Sequence, residues 1–123
     1  MVKDMAFFAY SVRDVPRAKA FYSEMLGLEP GEAFGDHWIE FKVGSTTFGI
    51  GDGTPLGFTP GASTGAAFEV DDLAEMRQRL KASGVNVGEV LEFPACTTCF
   101  ASDPDGNRFA LHQRRSPVPD NVA

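Results

Sequence analysis

Several signals that would point directly to a chemistry are scarce or missing. There are only two cysteines and one tryptophan, and basic residues are outnumbered, 11 against 17 acidic ones. The resulting net charge of −6 argues against a nucleic-acid partner, because neutralising phosphates needs a basic face. It also gives no attraction to anionic lipid. No apolar run reaches the roughly 18 residues of a membrane-spanning helix, so no membrane span is expected. The N-terminal stretch "MVKDMAFFAYSV" is interrupted by Asp4 and shows no small-residue cleavage site. No signal peptide is therefore expected, and a cytoplasmic location is the default. The two cysteines, Cys96 and Cys99, form one C-x-x-C. A second pair that would complete a zinc site is missing. "CTTCFAS" reads as a strand, where residues three apart point to opposite faces, so two reduced thiols are expected.

What is abundant is phenylalanine: eleven, against two tyrosines. Either a core or an apolar pocket must hold them. The 123 residues suffice for one domain with one modest core, and a single domain over 1–123 is expected.

The chain repeats itself. "AFFAYSVRDVPRAKAFYSEMLGL", residues 6–28, resembles "GAAFEVDDLAEMRQRLKASGV", residues 65–85. At a shift of 58, Val12 meets Val70, Asp14 meets Asp72, Val15 meets Leu73 and Tyr22 meets Leu80. Each segment reads as a strand followed by a helix. Asp14 and Asp72 are N-caps, and Glu75 stands at capping-box spacing from Asp72. Pro16 falls in a first turn, where its missing amide costs little. Val15, Ala18, Tyr22 and Met25 form one apolar stripe, and Leu73, Met76 and Leu80 another. Gly27 and Gly84 suit the left-handed position after a helix.

Three strands are expected after each helix: 29–35, 37–43 and 46–50, then 85–91, 96–102 and 107–113. Module one spans 4–51 and module two spans 65–113. Residues 52–64 form a Gly/Pro-rich linker, and residues 114–123 a loose tail. "DPDG", residues 103–106, reads as a type I turn whose local chemistry accounts for all four residues.

This duplicated pattern resembles the vicinal oxygen chelate superfamily. That superfamily includes glyoxalase I, fosfomycin-resistance enzymes, extradiol dioxygenases and bleomycin-resistance binding proteins. "FFAYSVRDVPRAKAFYSEMLGL", "GAAFEVDDL" and "DPDGNRFALHQ" carry the likeness, which covers roughly residues 4 to 113. The resemblance implies an α+β fold of two tandem βαβββ modules. Their sheets would curl into a partly open barrel around a cavity, with helices outside. It also implies a homodimer. In the metalloenzymes of the family, His and Glu side chains hold a divalent ion in the cavity.

The implied ligand positions here fall on Phe7, Gly65 and Ala110, none of which can bind a metal through its side chain. Glu40 is the only match to a family ligand, and one carboxylate does not make a stable divalent site. Glu40, Glu69, Cys99, His37 and His112 are the residues that could rebuild one, with a relocated Glu40–His112 pair the most concrete form. No cofactor is expected, and a divalent metal is the disfavoured alternative. The pocket is expected to be lined by Phe7, Trp38, Glu40, Gly65, Ala67, Glu69, Cys99, Ala110 and His112. Such an apolar, aromatic lining with a few polar groups fits a small-molecule site.

Three functions follow. The first is binding of a small, partly aromatic or cationic ligand without a metal, as in the bleomycin-resistance type. The second is a metal-dependent lyase, isomerase or dioxygenase with a relocated metal site. The third is a metal-free acid/base enzyme using Glu40 or Glu69 with His112.

Overall fold

The computed structural model describes residues 1–115, so of the expected tail only 114 and 115 are seen, and Arg114 belongs to the last strand. Both expected modules are present. Module one is built from β1 (Phe8–Ser11), α1 (Val15–Ala20), β2 (Glu29–Phe34), β3 (Trp38–Val43) and β4 (Thr46–Gly51). Module two repeats the order with β5 (Ala66–Glu69), α2 (Leu73–Ala82), β6 (Leu91–Glu92), β7 (Cys96–Ser102) and β8 (Arg108–Arg114). The shift of 58 carries both ends of β1 onto β5, and the start of α1 onto the start of α2.

Each module makes one four-stranded mixed sheet, ordered β1-β4-β3-β2 and β5-β8-β7-β6. The first strand of each runs parallel to the last, and the other pairings are antiparallel. Neither sheet closes on itself. The architecture is α+β, as the repeat implied.

The caps behave as their residue types require. Asp14 accepts from the Arg17 N–H, and Asp72 from the Glu75 N–H, both at 3.0 Å. Gly27 and Gly84 take φ of 74° and 80° after the helices, where a Cβ would be strained. The first helix continues into a π-helical turn, Phe21–Met25. Val15, Ala18 and Tyr22 are buried as expected. Met25 is only half-buried, because the wider π turn rotates it off the α stripe. In the second helix Leu73 and Leu80 are buried and Met76 is half-buried.

The expected strand 85–91 is much shorter. Only Leu91–Glu92 pairs with β7, and Val87 makes one isolated bridge to Ala101. Asn86 and Gly88 are poor strand formers, and they interrupt the ladder.

Most core residues lie on one face of each sheet, although in module two Cys96, Thr98 and Ala110 are buried on the other. In module one an aromatic cluster joins Tyr10, Tyr22, Phe41 and Phe48, with Tyr22 and Phe48 centroids 5.0 Å apart. In module two Phe68 and Phe109 meet edge to face at 5.7 Å.

The 103–107 turn contains more than turn chemistry, which corrects the local reading of "DPDG". Residues Asp103–Asn107 group with Met1–Thr64 as one compact unit. Asp103 and Asn107 are buried. One Asp103 oxygen accepts the Asp105 and Asn107 amides; the other accepts the Tyr22 hydroxyl at 2.8 Å and the Asn107 side-chain amide at 2.9 Å. Asn107 in turn donates to the Ser11 carbonyl, accepts from the Ser63 N–H, and Ser63 Oγ accepts from Ser11 N–H.

Burial, together with the Asp103 charge, pushes the Tyr22 hydroxyl far above the ordinary tyrosine range. Tyr22 therefore stays protonated when folded, whereas an unfolded tyrosine ionises near pH about 10. The associated stability is complete below that pH and is lost as pH rises above it. Urea unfolding at about pH 9 and about pH 11 should show a larger loss in the natural chain than in Tyr22→Phe. Equal losses would contradict the assignment.

Candidate functional site

Strand alternation leaves each sheet with a second face, away from the core described above. In module one this face carries Ala9 and Ser11 of β1, Gly49 and Gly51 of β4, and Trp38 and Glu40 of β3. The register sets Trp38 opposite Gly51 and Glu40 opposite Gly49. The Trp38 indole spreads over both glycines, and a Cβ at either would overlap its rings. Its Nε1–H donates to Glu40 Oε2 at 2.8 Å, which fixes the ring plane and occupies one carboxylate oxygen. Phe7 meets the indole edge to face, with centroids 5.5 Å apart. Gly51→Val is expected to lift the indole off the sheet; a red-shifted emission of this single tryptophan would report it, and an unchanged spectrum would contradict it.

Beside the indole is a cavity of about 330 Å³. Phe7, Trp38, Leu56 and Phe58 supply apolar wall, while Ser11, His37, Asp52 and Ser63 supply polar groups. The buried turn fixes Ser11 and Ser63, as described above. Asp52 accepts from Thr54 Oγ1 at 2.7 Å and Thr54 N–H at 3.0 Å. These two bonds, helped by His37, hold its carboxyl below the usual carboxylate range against a small desolvation effect. The cavity thus carries a negative charge at its edge near neutrality. Leu56, Phe58 and Asp52 escaped the sequence reading, which took 52–64 as a linker. Two large apolar residues in a Gly/Pro-rich segment were the available signal.

In module two the same alternation groups Ala67 and Glu69 of β5, Ala110 and His112 of β8, and Thr98 and Phe100 of β7. Ala67 pairs with Ala110, Glu69 and Thr98 both pair with His112, and Phe100 pairs with Ala110. His112 Nδ1 lies 2.6 Å from Glu69 Oε1, and Glu69 Oε2 accepts the Arg114 N–H at 2.8 Å. Desolvation works against ionisation of Glu69, but the Arg114 and His112 contacts outweigh it and hold the carboxyl below its usual range. His112 lies inside the strand, bracketed on both sides, and not at a strand end as the expected 107–113 boundary implied. A second, open groove of about 420 Å³ is lined by Asn86, Leu91, Phe100 and Arg108, among others. The Arg108 guanidinium lies 5.1 Å from the Phe100 ring centroid.

Cys99 does not join this face. It pairs with Leu111 and is fully buried on the core side, where burial pushes its thiol up. Cys96 lies on the other face, as the spacing required, with its Sγ 3.6 Å from Thr98 Oγ1. Gly65 precedes β5 and has φ of 104°, so any other side chain there would strain the backbone.

These residues do not fit the family's divalent ion. Phe7 packs on Trp38, Gly65 and Ala110 offer no donor, and Glu40 is engaged by the indole. Among the described residues, no three His, Cys, Asp or Glu side chains come together to hold a metal. Glu40 is bonded to Trp38 in module one, and His112 to Glu69 in module two.

Two tandem βαβββ modules with one open sheet face each define the vicinal oxygen chelate class of proteins. The sequence matches the family model of the Glyoxalase/Bleomycin resistance protein/Dioxygenase superfamily over residues 5–111, and the chain belongs to that family. Among solved structures it is similar to TnmS3, an antibiotic binding protein from Streptomyces sp. CB03234. The identity is 28%, the TM-score 0.79, and the match covers 93% of this chain and 98% of that one. A glyoxalase/bleomycin resistance protein from the same organism matches at 29% identity and TM-score 0.77, over 89% and 100%. A lactoylglutathione lyase from Agrobacterium tumefaciens shares the fold at 21% identity and TM-score 0.75, over 91% and 94%. No curated protein sequence matches this chain.

Proposed function

We propose that this chain binds a small, partly aromatic or cationic molecule in the module-one cavity, without a metal. The observation that carries this reading is the Trp38 indole, laid flat on Gly49 and Gly51, held by Glu40, and sharing a cavity with Phe7, Phe58 and Asp52. A rigid aromatic floor binds flat rings at low entropic cost, and a nearby carboxylate favours a cation. The similarity to an antibiotic binding protein supports the reading. Six of the eleven phenylalanines (Phe7, Phe8, Phe34, Phe58, Phe93 and Phe100) are 40% to 63% exposed. That is more apolar surface than isolated exposure explains. It supports both a ligand site and a homodimer, here taken to work in the cytoplasm. Sedimentation at micromolar concentration tests the dimer; a monomer throughout would reject it.

Acridine orange, a planar aromatic cation, serves as a ligand probe. Saturable quenching of Trp38 emission is expected, and Asp52→Asn should weaken binding about 2–5-fold. Absence of saturable quenching would remove the reading. Elemental analysis of protein purified without chelator, with Glu40→Ala as control, should find no stoichiometric metal. A stoichiometric metal lost in the control would overturn the metal-free part.

A further inference from the structure

We propose that the Glu69–His112 pair is a proton-accepting site for an acidic hydroxyl, of the phenol or enol kind, on the open face of module two. The geometry assigns the two imidazole nitrogens different tasks. Nδ1 is held by Glu69 Oε1 at 2.6 Å, and the other Glu69 oxygen is fixed by the Arg114 N–H. A carboxylate on Nδ1 selects the tautomer whose Nε2 carries the free lone pair. Glu69 is the only polar partner of the His112 imidazole among the described residues. None of their buried side-chain nitrogens or oxygens lacks a partner. The unpartnered Nε2 therefore reaches solvent, consistent with a side chain that is 19% exposed.

The surroundings suit a ring bearing a hydroxyl. Ala67 and the buried Ala110 present only methyl groups on the same face, and Phe100, opposite Ala110, is 40% exposed with the Arg108 guanidinium 5.1 Å from its ring centroid. The groups facing His112 are Glu69 on β5, Thr98 on β7 with Cys96 beyond it, and Arg114 on β8, whose backbone N–H and side-chain charge both act on Glu69. Glu69 is the carboxylate among them. The step is a single proton transfer: the ligand O–H bond breaks, an Nε2–H bond forms, and the electron pair stays on the ligand oxygen. The resulting imidazolium lies between the ligand oxyanion and the Glu69 carboxylate. Nothing is oxidised or reduced.

The probe is para-nitrophenol, whose phenolate is coloured and whose phenol is not. At a pH below its own ionisation, the natural protein should generate a saturable phenolate band. His112→Gln should weaken this at least about tenfold, and Glu69→Gln about tenfold, because each removes a charge-assisted hydrogen bond. The chain has only two histidines, so imidazole proton NMR of the natural protein gives a readout independent of variant folding. His37→Gln assigns the lines. The probe should move the His112 line. An absent phenolate band, a band retained in folded His112→Gln, or an unmoved His112 line would each overturn the proposal.

Discussion

Replacing Asp103 with alanine is expected to cost the fold about 3–5 kcal/mol, the cost of removing one member of a buried, fully bonded polar cluster. The substitution strands the Tyr22 hydroxyl, the Asn107 side-chain amide and two backbone N–H groups in a site only 5% exposed at Asp103. A domain of this size should then melt roughly 10–20 °C lower. Asp103→Asn retains an acceptor but places an amide N–H among donors, so it should recover only part of the loss. Tyr22→Phe should cost less, about 1–3 kcal/mol, since the carboxylate keeps its other donors. Urea unfolding measures all three. A value below about 1 kcal/mol for Asp103→Ala would show that turn geometry alone accounts for the residue. Because Asn107 also holds the Ser11 carbonyl and the Ser63 N–H, the same change should loosen the cavity wall and lower affinity for the acridine probe.

Trp38→Ala is expected to weaken acridine orange binding roughly 30-fold or more, the usual cost of removing a central aromatic anchor. Two effects combine. The flat stacking surface disappears, and the Glu40 carboxylate loses its 2.8 Å donor. Trp38→Phe separates them, keeping a ring but not the N–H, and should lose clearly less than the alanine variant. Binding is followed by the dye's own absorbance, because the variants lack the only tryptophan. Wild-type affinity in Trp38→Ala would place the ligand elsewhere.

Much of the fold was legible because repeats and caps are local. The 58-residue shift predicted both strand–helix units, and Asp14, Asp72, Gly27 and Gly84 all behave as their short-range chemistry demands. The expected 85–91 strand shrinks to the Leu91–Glu92 pairing because the backbone preferences of Asn86 and Gly88 break the ladder. The 52–64 segment was read by composition as a connector. Composition is blind to Leu56 and Phe58 lining a cavity far away in sequence from Phe7.

At the candidate site, the family resemblance marked the ligand positions, and the residues standing there, Phe7, Gly65 and Ala110, cannot bind a metal whatever surrounds them. Alternation also placed Trp38 with Glu40, and Ala110 with His112. It left the choice among bonding partners open. The Glu40–indole bond is local to one strand, whereas the Glu69–His112 contact and the core position of Cys99 depend on which strands pair and in what register. A shift of one residue would exchange every face.

The buried role of "DPDG" is the clearest such case. The sequence by itself determined a turn there, since aspartate, proline and glycine act within four residues. Only the tertiary structure decided that Asp103 would take the hydroxyl of Tyr22, 81 residues away. Turn preferences are set by neighbouring backbone atoms, whereas a buried carboxylate must find its donors wherever packing brings them.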